Sequence, residues 1–300
     1  MPSYTRKALE IRVTLRAGSF GGKGNTKIIY GVPTKVKIEK VGPPDKSKAT
    51  VECMGLRYED MEQISTLGFK PLSNAKNVCQ ILAGHEKPDG GKELSVCFEG
   101  EIVTAVADFN TAPDIWFKME LLQGYYGGIT AKGPTTIKGN QPAADFIAMQ
   151  AQAMGYSFKN NGVSAQLNNS VFNGSPMEQA HAAAREVGAE LLLDDGVMSL
   201  SPAGGNPRAQ AVKLTKDTGL IKYPTLTSEG VDITALYDPA FQIGGMVELE
   251  SIVPKASGTW RIVKLSHELH AFCPDGGPWF SKISGFSTDP SAKKQQGAKK

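Results

Sequence analysis

The chain has 300 residues, long enough for two or three domains with cores of their own. Its hydrophobic (40%) and charged (21%) fractions are those of a folded globular protein, and 33 glycines with 18 prolines favour turns over long helices. A net charge of +3 is too small for a nucleic-acid-binding stripe, and part of the excess sits in the final stretch AKKQQGAKK.

The opening MPSYTRKALEIRV lacks the apolar stretch of a signal peptide, so synthesis and folding in a cytoplasm are expected. No run approaches the roughly 18 apolar residues of a membrane span, and no membrane insertion is expected. Cys53, Cys79, Cys97 and Cys273 show no CxxC spacing and read as small buried thiols.

Residues 8–17 (ALEIRVTLRA) alternate as a half-buried strand does, and FGGKGN follows as a turn. IIYGVPTKVKIEKV reads as a second strand and KATVECMGL as a third. In LRYEDMEQISTL the period changes. Leu56, Met61, Ile64 and Leu67 recur at helical spacing, and Gly68 marks a stop. Strand patterns resume at NVCQILAGH, ELSVCFEGEIVTAVADF and DIWFKMELLQGYY. This first part predicts a six- or seven-stranded antiparallel barrel or sandwich with one short helix inserted.

Two middle segments share a layout: TTIKGNQPAADFIAMQAQAMGYSFKNNGVSAQL and SVFNGSPMEQAHAAAREVGAELLLDDGVMSLSP. Each has a short strand ending in Gly139 or Gly174, then Pro142 or Pro176 near a helix start. An Ala-rich helix follows, stopping at Gly155 or Gly188. Each closes on a strand, a turn (Asn161-Gly162 or Asp195-Gly196) and another strand. The pattern predicts a duplicated strand–helix–hairpin unit forming one small α/β domain. AGGNPRA (203–209) reads as a linker. Six strand patterns follow: QAVKLT, GLIKYPTLTS, VDITALYD, MVELES, TWRIVKLSHEL and WFSKISGF.

Reactive constellations are scarce. His267-Glu268-Leu269-His270 is HExH rather than HExxH, and on a strand its histidines point to opposite faces. Asp194-Asp195 and Glu59-Asp60 are explained by a turn and a solvated helix face. The glycines of GSFGGKGN lack both the P-loop pattern and a following helix. Trp116, Trp260 and Trp279 read as sheet-packing residues. No catalytic, cofactor-binding or metal-binding residue is nominated. The candidate contacts are the tail lysines Lys293, Lys294, Lys299 and Lys300. Their small polar spacers cannot build a core, so an acidic partner surface is expected for them.

Some of these segments carry a resemblance: GLRYEDMEQISTL, FEGEIVTAVADFNTAPDIWFKMELLQGYY, both middle repeats, and YPTLTSEGVDITALYDPAFQIGGMVELES with GTWRIVKLSHELH and GPWFS. Taken in order, they resemble the baseplate hub proteins of contractile-tailed phages. The resemblance implies an α+β, mainly β fold, in which two tube-like antiparallel β-barrel domains flank a small duplicated α/β domain. The expected boundaries are 1–130, 131–205 and 206–286, with a basic tail at 287–300. It further implies a non-enzymatic structural protein of the virion tail baseplate. That protein would be a homotrimer whose pseudo-sixfold ring joins the hexameric tail tube to a trimeric central spike, touches other baseplate proteins and passes DNA as cargo. The alternatives are a hub or adaptor of a related contractile injection system, and a β-barrel hydrolase. The Lys-rich tail and the loop Gly18–Asn25 depart from the family pattern as we read it.

Overall fold

The computed structural model describes residues 5–22, 24–65, 77–205, 211–228 and 230–287. Seven strands come first: β1 (Lys7–Thr14), β2 (Thr26–Tyr30), β3 (Thr34–Val41), β4 (Lys48–Cys53), β5 (Val78–Glu86), β6 (Lys92–Asp108) and β7 (Trp116–Leu122). Helix α1 (Tyr58–Ile64) lies between β4 and β5, and α2 (Tyr125–Ile129) follows β7. The middle segment comprises β8 (Thr135–Thr136), β9 (Asn140–Pro142), α3 (Ala143–Met154), β10 (Ser157–Asn160), β11 (Gln166–Asn168), β12 (Val171–Phe172), α4 (Pro176–Glu186), β13 (Ala189–Asp194) and β14 (Val197–Pro202). The last strands are β15 (Val212–Leu214), β16 (Thr225–Leu226), β17 (Gly230–Leu236), β18 (Met246–Leu249), β19 (Gly258–Ala271) and β20 (Trp279–Ser287).

The fold is mainly β with few helices. The first seven and last six strands form one 13-stranded sheet, ordered β16-β17-β20-β19-β3-β4-β7-β6-β5-β1-β2, with β18 pairing β19 and β15. Its pairs are antiparallel except β15 with β18. The joint is the long strand β19. Its first residues pair with β18, and Lys264–Ala271 pair with β3 across Lys264↔Val41 to Ala271↔Thr34. The two strand groups read separately in the sequence are therefore hydrogen-bonded to each other. Leu269, Ala271 and Trp279 from the C-terminal strands belong to the same core as Ile11, Val36, Phe98 and Phe117 from the N-terminal ones. A second core, with Ile233, Phe241, Val247, Leu265 and Ile283, fills the C-terminal group.

Several local expectations are corrected. IIYGVPTKVKIEKV is two strands, because Gly31 adopts a positive φ and Pro33 cannot donate to a ladder. GYY after β7 turns into α2 instead of extending the strand, with Gly124 in the left-handed region at its start. GLIKYPTLTS supplies only a bridge from Leu220 to Ala235 and the two residues of β16. Leu67 and Gly68, expected to finish α1, lie outside the described residues. The Gly-rich loop Gly18–Asn25 does join β1 to β2 as a hairpin, with Thr14 opposite Thr26.

The middle segment folds around its own core of Phe146, Ile147, Leu167, Phe172, Ala180, Ala183 and Leu200. Helix α3 packs on α4, whose alanines let the backbones approach. Both repeats show strand, helix, strand, strand, but only the second closes a hairpin, β13 with β14. In the first, β10 pairs in parallel with β14, and β11 returns to β9. The opening strands β8 and β12 pair across the repeats. Helix α4 starts with a capping box: the Ser175 hydroxyl accepts from Glu178 N, and the Glu178 carboxylate accepts from Ser175 N at 2.7 Å. Ser175→Ala is expected to cost about 1 kcal/mol. A shift in the urea midpoint of the purified protein measures it.

Candidate assembly site at the junction of the three cores

Strand β3 places Thr34, Val36, Ile38 and Lys40 on its inner face, so the alternation delivers a lysine into the interior. Lys40 is 1% exposed. Its ammonium reaches Asp194 Oδ1 at 2.6 Å and Asp195 Oδ2 at 2.8 Å, on the turn between β13 and β14. Asp195 and Gly196 both take positive φ there, as a two-residue hairpin turn requires. Burial opposes the charge on Lys40, but the two carboxylates outweigh it and raise its pKa above the ordinary lysine value. The acidic pair read as a solvated turn is therefore an internal clasp. Its sequence signal was a lysine in register with Val36 and Ile38.

Two further contacts fix the middle segment against the sheet. Arg261 of β19 donates to Glu190 of β13 at 2.6 Å. Tyr156, just after α3, donates to Glu101 of β6, and the backbone N of Tyr125 also donates to Glu101 at 3.2 Å. Beside the clasp lies a cleft of about 1100 Å3 between the β3–β4 loop, α4, β13 and β19, walled by Met177, Leu192 and Ile262 and rimmed by Lys46, His181 and Arg185. The other acidic pair is also corrected. Asp60 is 8% exposed and bound to Lys27 of β2 at 2.6 Å, which ties α1 to that strand.

His267 is buried and its Nδ1 lies 2.8 Å from Ser281 Oγ, whereas His270 is half-exposed across the strand. Among the described residues no group of three or more His, Cys, Asp or Glu could hold a metal ion. The Tyr237 ring meets His267 edge-on at 5.1 Å and Trp279 at 5.7 Å. Trp116 carries Lys35 over its face at 4.4 Å, and Trp260 Nε1 donates to Ala256 O at 2.8 Å. All four cysteines are free, and burial pushes the Cys53 and Cys97 thiols up to about 12. Such thiols stay protonated at neutral pH and are poor nucleophiles. Among the described residues no helix is long and apolar enough to cross a membrane. Lys293, Lys294, Lys299 and Lys300 lie outside the described residues.

Burial, with Lys40 nearby, lowers the His267 pKa from 6.5 to about 3. The unfolded chain takes up this proton near pH 6.5 and the folded chain only near pH 3. The stability contribution is thus whole above pH 6.5 and shrinks as pH falls through that window. Between about pH 7.5 and about pH 5 the loss from this group is about 2 kcal/mol. Urea unfolding of the protein and of His267→Asn at both pH values measures it. The variant should lose that much less on acidification.

The sequence matches the profile of the baseplate hub gp41 family over residues 10–272. No curated protein matches the chain. Several solved structures share the fold, three tail or secretion-system proteins among them. A tail protein of Neisseria meningitidis MC58 is 10% identical, with a TM-score of 0.61, over 94% of this chain and 97% of that one. The 43 kDa tail protein of prophage MuSo2 of Shewanella oneidensis is 10% identical, with a TM-score of 0.59, over 92% and 97%. The E. coli c3393 protein, a component of the type VI secretion system, is 7% identical, with a TM-score of 0.56, over 93% and 77%.

Proposed function

The chain belongs to the baseplate hub gp41 family, and from that premise we propose that three copies close into a pseudo-sixfold ring. The ring joins a hexameric tail tube to a trimeric spike and lets DNA pass. The coarser role is that of a structural tail or baseplate protein of a phage or contractile injection system. The single observation that carries the finer reading is the continuous 13-stranded sheet. It presents an N-terminal and a C-terminal strand group side by side in each chain, so three chains supply six such groups. The clasp at Lys40 and the Arg261–Glu190 pair brace the middle segment against both groups, which suits a part that transmits force.

The outward face of the central strands supports the same reading. Lys35, Lys37, Lys48, Lys118, Lys264 and Lys282 alternate there with Glu39, Glu52, Glu120 and Glu268. Glu39 holds both Lys37 at 2.9 Å and Lys48 at 3.1 Å. A polar wall whose lysines are partly neutralised by neighbours lets a polyanion slide without gripping it. We assign this face to the channel. The spike as partner is our reading of the relatives: the c3393 protein is described as similar to the T4 tail proteins gp27 and gp5, and another fold relative is a chain of a Francisella PdpA–VgrG complex.

A cryo-EM reconstruction of tails carrying the chain tests the proposal. Three copies with β3, β4 and β19 facing the channel are expected. Six copies at the tube end, or a channel lined by other strands, would overturn it. Incubating purified protein with peptidoglycan tests the hydrolase alternative, for which soluble fragments would count.

A further inference from the structure

The sheet of the middle segment ends in an open strand edge, and the cleft beside the clasp runs along it. In the order β10-β14-β13, strand β13 is terminal, and Ala189 to Leu193 all line the cleft. The turn Asp195-Gly196 fixes which backbone groups of β13 are spent. Asp194 and Val197 flank that turn as a hydrogen-bonded pair, so Leu192 with Ser199 and Glu190 with Ser201 are bonded as well. Ala189, Leu191 and Leu193 therefore turn their N–H and C=O groups away from β14. Pro202, which has no N–H to give, stands opposite Ala189, as this phase requires. Among the described residues these outward groups find no other hydrogen bond.

We propose that an extended segment of a partner protein adds to this edge of β13, with apolar side chains at alternate positions and a carboxylate beside Arg185. Donors and acceptors at strand spacing are the complement of another backbone, which makes an added strand the occupant. Its side chains would alternate between Met177 of α4 on one side and Ile262 of β19 on the other. At the Leu193 end, Gln123 lines the cleft and is 4% exposed, and neither atom of its amide finds a partner among the described residues. A peptide bond supplies the donor and the acceptor that such an amide lacks. The fixed charges around the cleft are Lys46, Arg185 and Arg261 against Asp45, Glu178 and Glu190. Glu190 is held by Arg261 at 2.6 Å, and the Glu178 carboxylate by Ser175 N at 2.7 Å. Arg185 has no carboxylate within salt-bridge distance among the described residues. Burial, then Arg185 and Lys46, lower the His181 pKa below the ordinary histidine value, so both cations stand near that imidazole. The α4 wall thus suits an acidic side chain. The proposal uses the structural tail role of the chain and not the ring.

Amide hydrogen exchange, resolved by residue, compares the free full-length chain with assembled tails. In the free chain the Leu191 and Leu193 amides should exchange freely, and those of Glu190 and Leu192 slowly. In tails the Leu191 and Leu193 amides should slow by about tenfold or more. Free exchange in tails, or slow exchange already in the free chain, overturns the proposal. A photo-reactive benzoylphenylalanine in place of Val263, which is exposed on the cleft wall, identifies the occupant in tails built from the full chain. The expected product joins this position to one segment of another tail protein, with alternating apolar residues and an Asp or Glu. No product, a segment without that pattern, or a segment from a second copy of this chain overturns the partner named. Both readouts are independent of the number of copies, so a failure of the ring leaves this contact standing, and the reverse.

Discussion

Lys40→Ala is expected to destabilise the protein by about 3–5 kcal/mol. The lysine is 1% exposed and its ammonium holds two carboxylates that are themselves mostly out of water. Removing it leaves Asp194 and Asp195 facing each other without a cation, in a place where water reaches poorly. The cost comes from those stranded charges more than from the lost attraction, because the desolvation of all three groups offsets much of what the ion pairs contribute. Lys40→Met combined with Asp194→Asn and Asp195→Asn should therefore recover most of the loss. Urea unfolding at neutral pH measures both variants. If the single variant loses less than about 1 kcal/mol, the clasp is not a structural joint. Because it links β3 to the β13–β14 turn, 154 residues away in sequence, proteolysis between the middle segment and the sheet should also quicken.

Phe146→Ala is expected to cost about 3–5 kcal/mol, by loss of transfer free energy and by the cavity left behind. The ring is fully buried, with the Phe172 ring centred 4.9 Å away. It sits where α3 meets the strand that opens the second repeat. Alanines dominate the facing side of α4, at Ala180, Ala183 and Ala184. The same substitution at Met149, one turn further along α3 and half-exposed, should change stability by less than about 0.5 kcal/mol. Thermal unfolding of the two variants side by side measures the difference. Equal losses would mean that the core of the middle segment does not depend on this ring.

The alternation in ALEIRVTLRA, KATVECMGL and WFSKISGF sufficed to place their strands, since a half-buried strand must alternate. The helices of the middle repeats were equally legible from Ala-rich runs bounded by proline and glycine. The expected mainly β architecture and the hub family also followed from the order of these segments. What alternation cannot reveal is which strand lies beside which. It missed that β19 runs through both strand groups, because a 14-residue alternating run looks the same whether it pairs with two neighbours or three. A bulge at Val263 makes this harder. It shifts the register between Ile262 and Lys264, so Trp260 and Ile262 point inward before it, and Leu265, His267 and Leu269 after it. The burial of His267 depends on that extra residue.

The first repeat shows the same limit. Asn161-Gly162 is a sound hairpin turn by local chemistry, yet β10 pairs with β14 of the second repeat because the shared sheet offers it a longer partner. The clasp of Lys40 with Asp194 and Asp195 was half visible. The lysine stood at an inward register position, but its partners lay far along the chain on a turn that local rules assign to solvent. The sequence by itself therefore determined the elements and their apolar faces, since these follow from side-chain period and backbone preference within a few residues. Only the tertiary structure decided strand order, the joining of the two strand groups, and the pairing of buried charges. Those depend on contacts between residues far apart in the chain, where register and burial are set by the neighbours that each surface finds.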